Sequence, residues 1–315
     1  MIAGTIVLAV AAAFALVLAY AALHVIGLLY RAQWISDQSI QLDAVRVVFA
    51  VMQAPSQVPL SGLAILLVCE CAARLGFRLL GQHGKPKEEE PVRLLWLRVF
   101  SLGRRSERLF RALSSSWRYI GSVQMITGPD LANTTVEPDE FLDFLGGRLQ
   151  RRFIRGADAI KRRLFESQSR RDHDGRFRVA SFFCYADTWQ VALALLARES
   201  HLVLMDLRGF TPKNEGCVYE LNELLDAVPL NRILLIVDDT TDQPFLINTL
   251  EQAWTRISAA SSNRKDPSPR VDLWRLKDAG SQSIQGLLTV LAGRSSGEQL
   301  RHPALVVGGT CRRLP

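Results

Sequence analysis

Apolar positions along the chain follow two regimes. Between Met1 and Arg31 no side chain is charged, and the run IAGTIVLAVAAAFALVLAYAALHVIGLLY exceeds the roughly 20 apolar residues that a helix needs to cross a bilayer. It predicts a transmembrane helix over about residues 2–30. A cleaved signal peptide fits less well, because no positive segment precedes the run and its apolar core is too long. A second uncharged stretch extends from Val47 to Cys69. Pro55 and Pro59 interrupt it, so a second span runs from near Val58 to near Leu80, with Arg74 and Arg78 reaching back to the interface. One or two membrane helices thus make residues 1–80 an anchor. Glu70 lies within the second, where it either pairs with Arg74 at helical spacing or has an intramembrane role.

Residues 81–91, GQHGKPKEEEP, combine Gly, Pro and a charge run and predict a short solvated linker. From Val92 onward, apolar runs of strand length alternate with segments of helical period. RLLWLRVF, SVQMIT, HLVLMDL, RILLIVD and VDLWRL predict strands ending at Phe100, Thr127, Leu207, Asp238 and Leu276. Helices are predicted over Ser106 to Trp117, Pro138 to about Gln168, Asp187 to Glu199, Cys217 to Ala227, Pro244 to Ile257 and Ser281 to Leu291. Strands apolar on both faces, alternating with helices, require a parallel sheet covered on both sides. The prediction is an α/β domain over residues 92–296 with a doubly wound, mainly parallel sheet of five strands in flavodoxin-like order. Trp189, Trp254 and Trp274 fall beside apolar neighbours and are assigned to the core. The tail, residues 297–315, either adds an edge strand at ALVV or stays unstructured.

Charge sharpens this picture. The segment after Leu80 carries Lys85, Lys87, Arg93, Arg98, Arg104 and Arg105, whereas the charges between the two spans cancel. By the positive-inside rule the chain sits in the inner (plasma) membrane with its C-terminal domain cytoplasmic. Cys184, Cys217 and Cys311 show no disulfide or metal-ligand spacing, in keeping with a reducing compartment. About residues 145–185 interrupt the strand–helix rhythm as a basic insertion with an extra strand, FRVASFFCY, or as an edge strand with its own helix. Within residues 148–178 there are eleven Lys and Arg against four Asp and Glu, a surplus equal to the net charge of +7 on the whole chain. A solvated helix face explains it first and contact with anionic lipid second. Nucleic acid is disfavoured, since no stacking or groove-reading motif accompanies the charge.

In an open parallel sheet, ligands collect where strand order reverses, at the carboxyl ends of the strands. Flavodoxin-like order puts that point between the first and third core strands, whose exits are SLGRRSE and RGFTPKNEG. The first holds Arg104 and Arg105 beside a helix N-terminus, which suits an anion such as a pyrophosphate. The second begins at Arg208 and leads into a helix that opens at Cys217 and carries Glu220 on its first turn. Glu220 has two readings there, an acidic side chain favoured by the helix dipole or a catalytic carboxylate. Neither G-x-x-x-x-G-K-[ST] nor G-x-G-x-x-G occurs, nor G-x-S-x-G, nor H-E-x-x-H. Asp238 to Asp242, DDTTD, is read as a turn capping the next helix in preference to a metal site, and no metal or cofactor is assigned.

LVLMDLRGFTPKNEGCVYELNELLDAVPLNRILLIVD, with its Cys217, Glu220 and Leu221, resembles the strand, polar loop, Cys-x-x-Glu-Leu helix and strand of Toll/interleukin-1 receptor (TIR) domains. LRVFSLGRRSERLFRAL looks like the first strand and helix of such a domain, and VQMITGPDLANTTVEPDEFLDFL is similar to its second strand, loop and helix. The resemblance covers roughly Val92 to Leu291, with the insertion interrupting it. Pro212, Lys213 and Asn214 stand where a Ser-x-Trp run is common in the family. The resemblance implies a signalling module that self-associates or recruits protein partners. For the family members that cleave NAD, it implies a NAD glycohydrolase with Glu220 as catalytic residue. Ser101, Arg104, Arg105 and Arg208 would then hold the substrate NAD, and a carboxylate facing a developing oxocarbenium ion is chemically apt.

Overall fold

The computed structural model describes residues 10, 17, 30, 91–99, 103–128, 149–167, 171–172, 175–266, 269–276, 280–295 and 309–313. The second predicted span, the linker up to residue 90, Ser101 and the ALVV segment lie outside the described residues, as does nearly all of the first span. Among the described residues no helix is long and apolar enough to cross a membrane. The chain divides into two units. One comprises Met1–Glu89, Val136–Arg151 and Arg170–Arg176, and the other comprises Glu90–Thr135, Arg152–Ser169 and Phe177–Pro315. The second unit holds the α/β domain.

Its strands are β1 (Val92–Arg98), β2 (Gly121–Thr127), β3 (Val179–Phe183), β4 (Leu202–Asp206), β5 (Ile233–Val237), β6 (Arg270–Arg275) and β7 (Gly309–Arg313). They form one sheet in the order β3-β2-β1-β4-β5-β6-β7. β1 to β6 pair in parallel, and β7 pairs antiparallel with β6. The parallel part therefore has six strands, not the expected five. FRVASFFCY supplies the sixth, docking beside β2 at the edge of the sheet, the second of the two arrangements expected for it. The tail adds its strand at Gly309–Arg313, downstream of ALVV.

The helices are α1 (Arg104–Trp117), α2 (Ala157–Ser167), α3 (Trp189–Glu199), α4 (Glu215–Ala227), α5 (Gln243–Thr255) and α6 (Ser281–Ser295). The helix expected from Pro138 to Gln168 is not continuous where it is described. A 3-10 turn at Leu149–Arg152 is followed by α2, and between them Ile154 forms an isolated parallel bridge to Cys184 while Gly156 takes φ 86°. A positive φ suits glycine and ends a helix cheaply, which sets the start of α2.

Alternate strand residues face opposite ways, and the core splits accordingly. Leu94, Trp96, Leu204 and Ile236 pack with Leu109, Leu113 and Trp117 of α1 and with Leu287 and Leu291 of α6. Leu95, Leu97, Met205 and Leu235 pack on the other face with residues of α2, α3, α4 and α5. Helices on both faces are what strands without a polar side require, and the domain is doubly wound. Trp274 is buried at 3% exposure, while Trp189 and Trp254 pack half-buried against the second cluster.

β1 lies between β2 and β4, and strand order reverses there: β2 and β3 follow on one side, β4, β5 and β6 on the other. The first and third expected core strands thus flank the switch point, and the candidate loops leave the sheet at that edge.

Candidate functional site

Each of the three central strands ends in a charged residue or is followed at once by one. Arg98 and Asp206 close β1 and β4 as register partners, and Asp238 follows β5. By alternation all three point to the α1 face. Asp206 is fully buried and Arg208 is 5% exposed. The Asp206 carboxylate accepts from Arg208 Nε at 2.8 Å and from Nη2 at 2.7 Å, a bidentate fork. Arg208 Nη2 also donates to the Arg105 carbonyl at 3.2 Å, tying the exit of β4 to the first turn of α1. Arg105 in turn is paired with Asp238. Burial raises the Asp238 pKa, but the Thr240 hydroxyl and N–H together with Arg105 outweigh it and hold the carboxyl below its ordinary value.

Arg98 is 8% exposed. Burial pushes its pKa down, opposed by the charges of Asp206 and Glu107. Glu107 is already paired with Arg111 at 2.6 Å, as Asp206 is with Arg208. Arg104 is exposed on the outer side of α1. Of the residues predicted to hold substrate, Arg105 and Arg208 come together, Arg104 faces solvent, and Ser101 is outside the described residues.

The loop after β4 is fastened to the exit of β5. The Leu207 carbonyl accepts from Thr241 Oγ1 at 3.0 Å, Thr241 Oγ1 also accepts from the Asp238 N–H, and the Phe210 carbonyl accepts from the Asp242 N–H. Phe210 is fully buried against Phe245, ring centroids 5.3 Å apart. Gly209 turns the chain at φ 69°. Asp242 caps α5, its carboxylate accepting from the Phe245 N–H at 3.1 Å, and Asp239 is paired with Arg275, so the acidic residues of DDTTD divide into two arginine partners and a helix cap.

Glu220 departs from the expectation. α4 begins at Glu215, two residues before Cys217, with Asn214 at the N-cap. Glu220 is consequently in the second turn, and the acidic residue of the first turn is Glu215. The helix dipole does not account for a side chain placed there. Glu220 points inward, 3% exposed, with Cys217, Leu221 and Leu224 on the same buried stripe. Its Oε2 has no hydrogen-bond partner. Burial pushes its pKa up from the ordinary 4.5 to about 8, against a smaller lowering by the Cys217 thiol. At neutral pH the group is mainly a neutral acid. Cys217 is itself pushed up by burial and by Glu220, as fits packing rather than reactivity.

Glu220 belongs to a helix on one face of the sheet, whereas Arg105 starts the helix on the other. Sequence reasoning did not single out Arg98, Ser106 or Asp206. The signal for two of them was present: Arg98 and Asp206 are the charges that interrupt all-apolar strand runs.

No protein-family model matches the chain. A search of curated proteins also found no match.

Proposed function

We propose that the protein is a membrane-anchored signalling or interaction module. Its TIR-like cytosolic domain works by self-association and by recruiting protein partners. The burial of Glu220 carries this reading: a neutral carboxyl sealed under α4 is poorly suited to stabilise a developing cation, and Arg105 and Arg208 are already neutralised by Asp238 and Asp206. The anchor rests on the uncharged run up to Arg31. An apolar contact surface is available on α3 and α4, where Tyr219 is exposed beside Trp189, ring centroids 5.2 Å apart, and Val191 is exposed nearby. Aromatic side chains of this kind anchor interfaces.

The test is the concentration dependence of assembly by the full-length chain in a zwitterionic detergent, followed by sedimentation or cross-linking. The expected result is oligomer formation that rises with concentration and weakens about tenfold or more in Tyr219→Glu. A chain that stays monomeric at the highest concentration and captures no partner removes the reading.

One observation favours a second reading. The unpartnered Oε2 of Glu220 would serve a NAD glycohydrolase if α4 or the loop before it moved to uncover the carboxyl. Neither reading requires a cofactor, since NAD would be a substrate. The basic segment 148–178 presents Arg155, Lys161 and Arg162 outward where it is described, and contact with anionic lipid accords with that charge. An intramembrane role for Glu70 comes third.

A further inference from the structure

Ser106 is the third residue of α1 and lies on its buried side, 1% exposed, with its Oγ bonded to nothing. A buried hydroxyl without a partner is costly and marks an unmet interaction. By alternation with Leu94 and Trp96 the Arg98 side chain is on the α1 face of the sheet, the side on which Ser106 is buried, and the acidic groups acting on it are Asp206 beside it in the sheet and Glu107, the residue after Ser106. Both carboxylates are taken by other arginines, and no hydrogen bond to Arg98 joins them among the described residues. Arg98 is therefore a buried cation in excess of the local anions. The helix above it starts at Gly103, φ 47°, and no side chain caps it. Its first N–H groups point toward the switch-point edge of the sheet, where the macrodipole is positive.

We propose that the carboxyl end of β1 and the first turn of α1 form a binding site for the dianionic phosphate of a small-molecule monoester. The Arg98 guanidinium, Ser106 Oγ and the N–H groups of that turn are the donors. A phosphate accepts several hydrogen bonds at once and supplies the missing negative charge. The site stands apart from Glu220 and from self-association, so a monomeric or catalytically silent chain leaves it intact.

The full-length chain in zwitterionic detergent is titrated at pH 7 and constant ionic strength with inorganic phosphate, glycerol 3-phosphate and adenosine 5′-monophosphate, with sulfate as comparison. The readouts are calorimetry and phosphorus line broadening. Expected is saturable binding, tightest for one of the two monoesters, weakened at least tenfold by Arg98→Met and several-fold by Ser106→Ala. Arg162→Gln, an exposed charge on α2, leaves it unchanged. Preference for glycerol 3-phosphate assigns the source as a lipid-type headgroup, and preference for the nucleotide assigns a soluble metabolite. Near-ultraviolet circular dichroism establishes that each variant is folded; should Arg98→Met not fold, Ser106→Ala and Arg98→Lys carry the test. Absence of saturable binding, binding of inorganic phosphate alone, or wild-type affinity in the folded variants overturns the assignment.

Discussion

Glu220→Gln is expected to flatten the dependence of stability on pH between about 5 and 9. In the unfolded chain the carboxyl ionises near 4.5, whereas in the folded domain it keeps its proton to about 8. Below the lower value both states are protonated and Glu220 has no pH effect. Between the two values the folded protein holds the extra proton, so each rise in pH favours unfolding. Above about 8 the full penalty is in place, on the order of 4 kcal/mol for a shift of this size. Glutamine has the same shape and no charge to lose, so the gap in stability between variant and wild type should widen by that amount across the window. Denaturant midpoints read by tryptophan fluorescence suit the measurement, because Trp96, Trp117 and Trp274 are buried in the domain core. Parallel pH profiles for the two proteins would mean that Glu220 is solvated in solution.

Asp206→Asn should destabilise the domain by about 3 kcal/mol or more, since removing one partner of a buried ion pair strands the other charge. The Arg208 and Asp206 side chains are 6% and 0% exposed, so water cannot replace the lost carboxylate. Arg98 loses a charge partner in the same step. A thermal midpoint lower by roughly 6–12 °C is the corresponding shift for a domain of this size. The double variant Asp206→Asn with Arg208→Met should regain a large part of the loss, because it removes the stranded cation. If Asp206→Asn alone matched the wild type, the fork would be a solvated surface pair.

The layers of the fold were legible because both kinds of element declare themselves by period. Five strands appeared as runs too apolar to have a wet side, and all five ended within two residues of the predicted position. β3 was legible as an extra strand, within an insertion or at a sheet edge, but the choice between the two was not, because its pairing with β2 is non-local and no local pattern encodes it. The error at α4 was one of phase. Taking Cys217 as the helix start put Glu220 on the first turn, yet Cys217, Glu220, Leu221 and Leu224 already follow the spacing of a buried stripe. Arg98 and Asp206 were visible as charges within apolar runs, but which carboxylate meets which arginine depends on strand register. Ser106 carried no sequence signal, since an unsatisfied hydroxyl can be recognised only once its surroundings are in place.

The most direct test of the interaction-module account is nicotinamide release from NAD by the full-length chain, reconstituted at high density in vesicles so that its domains cluster, beside Glu220→Ala. The account predicts no release above background from either protein, because the carboxyl stays buried and neutral. Release by the wild type that disappears in a folded Glu220→Ala variant would contradict it and make Glu220 the catalytic residue of a NAD-cleaving enzyme.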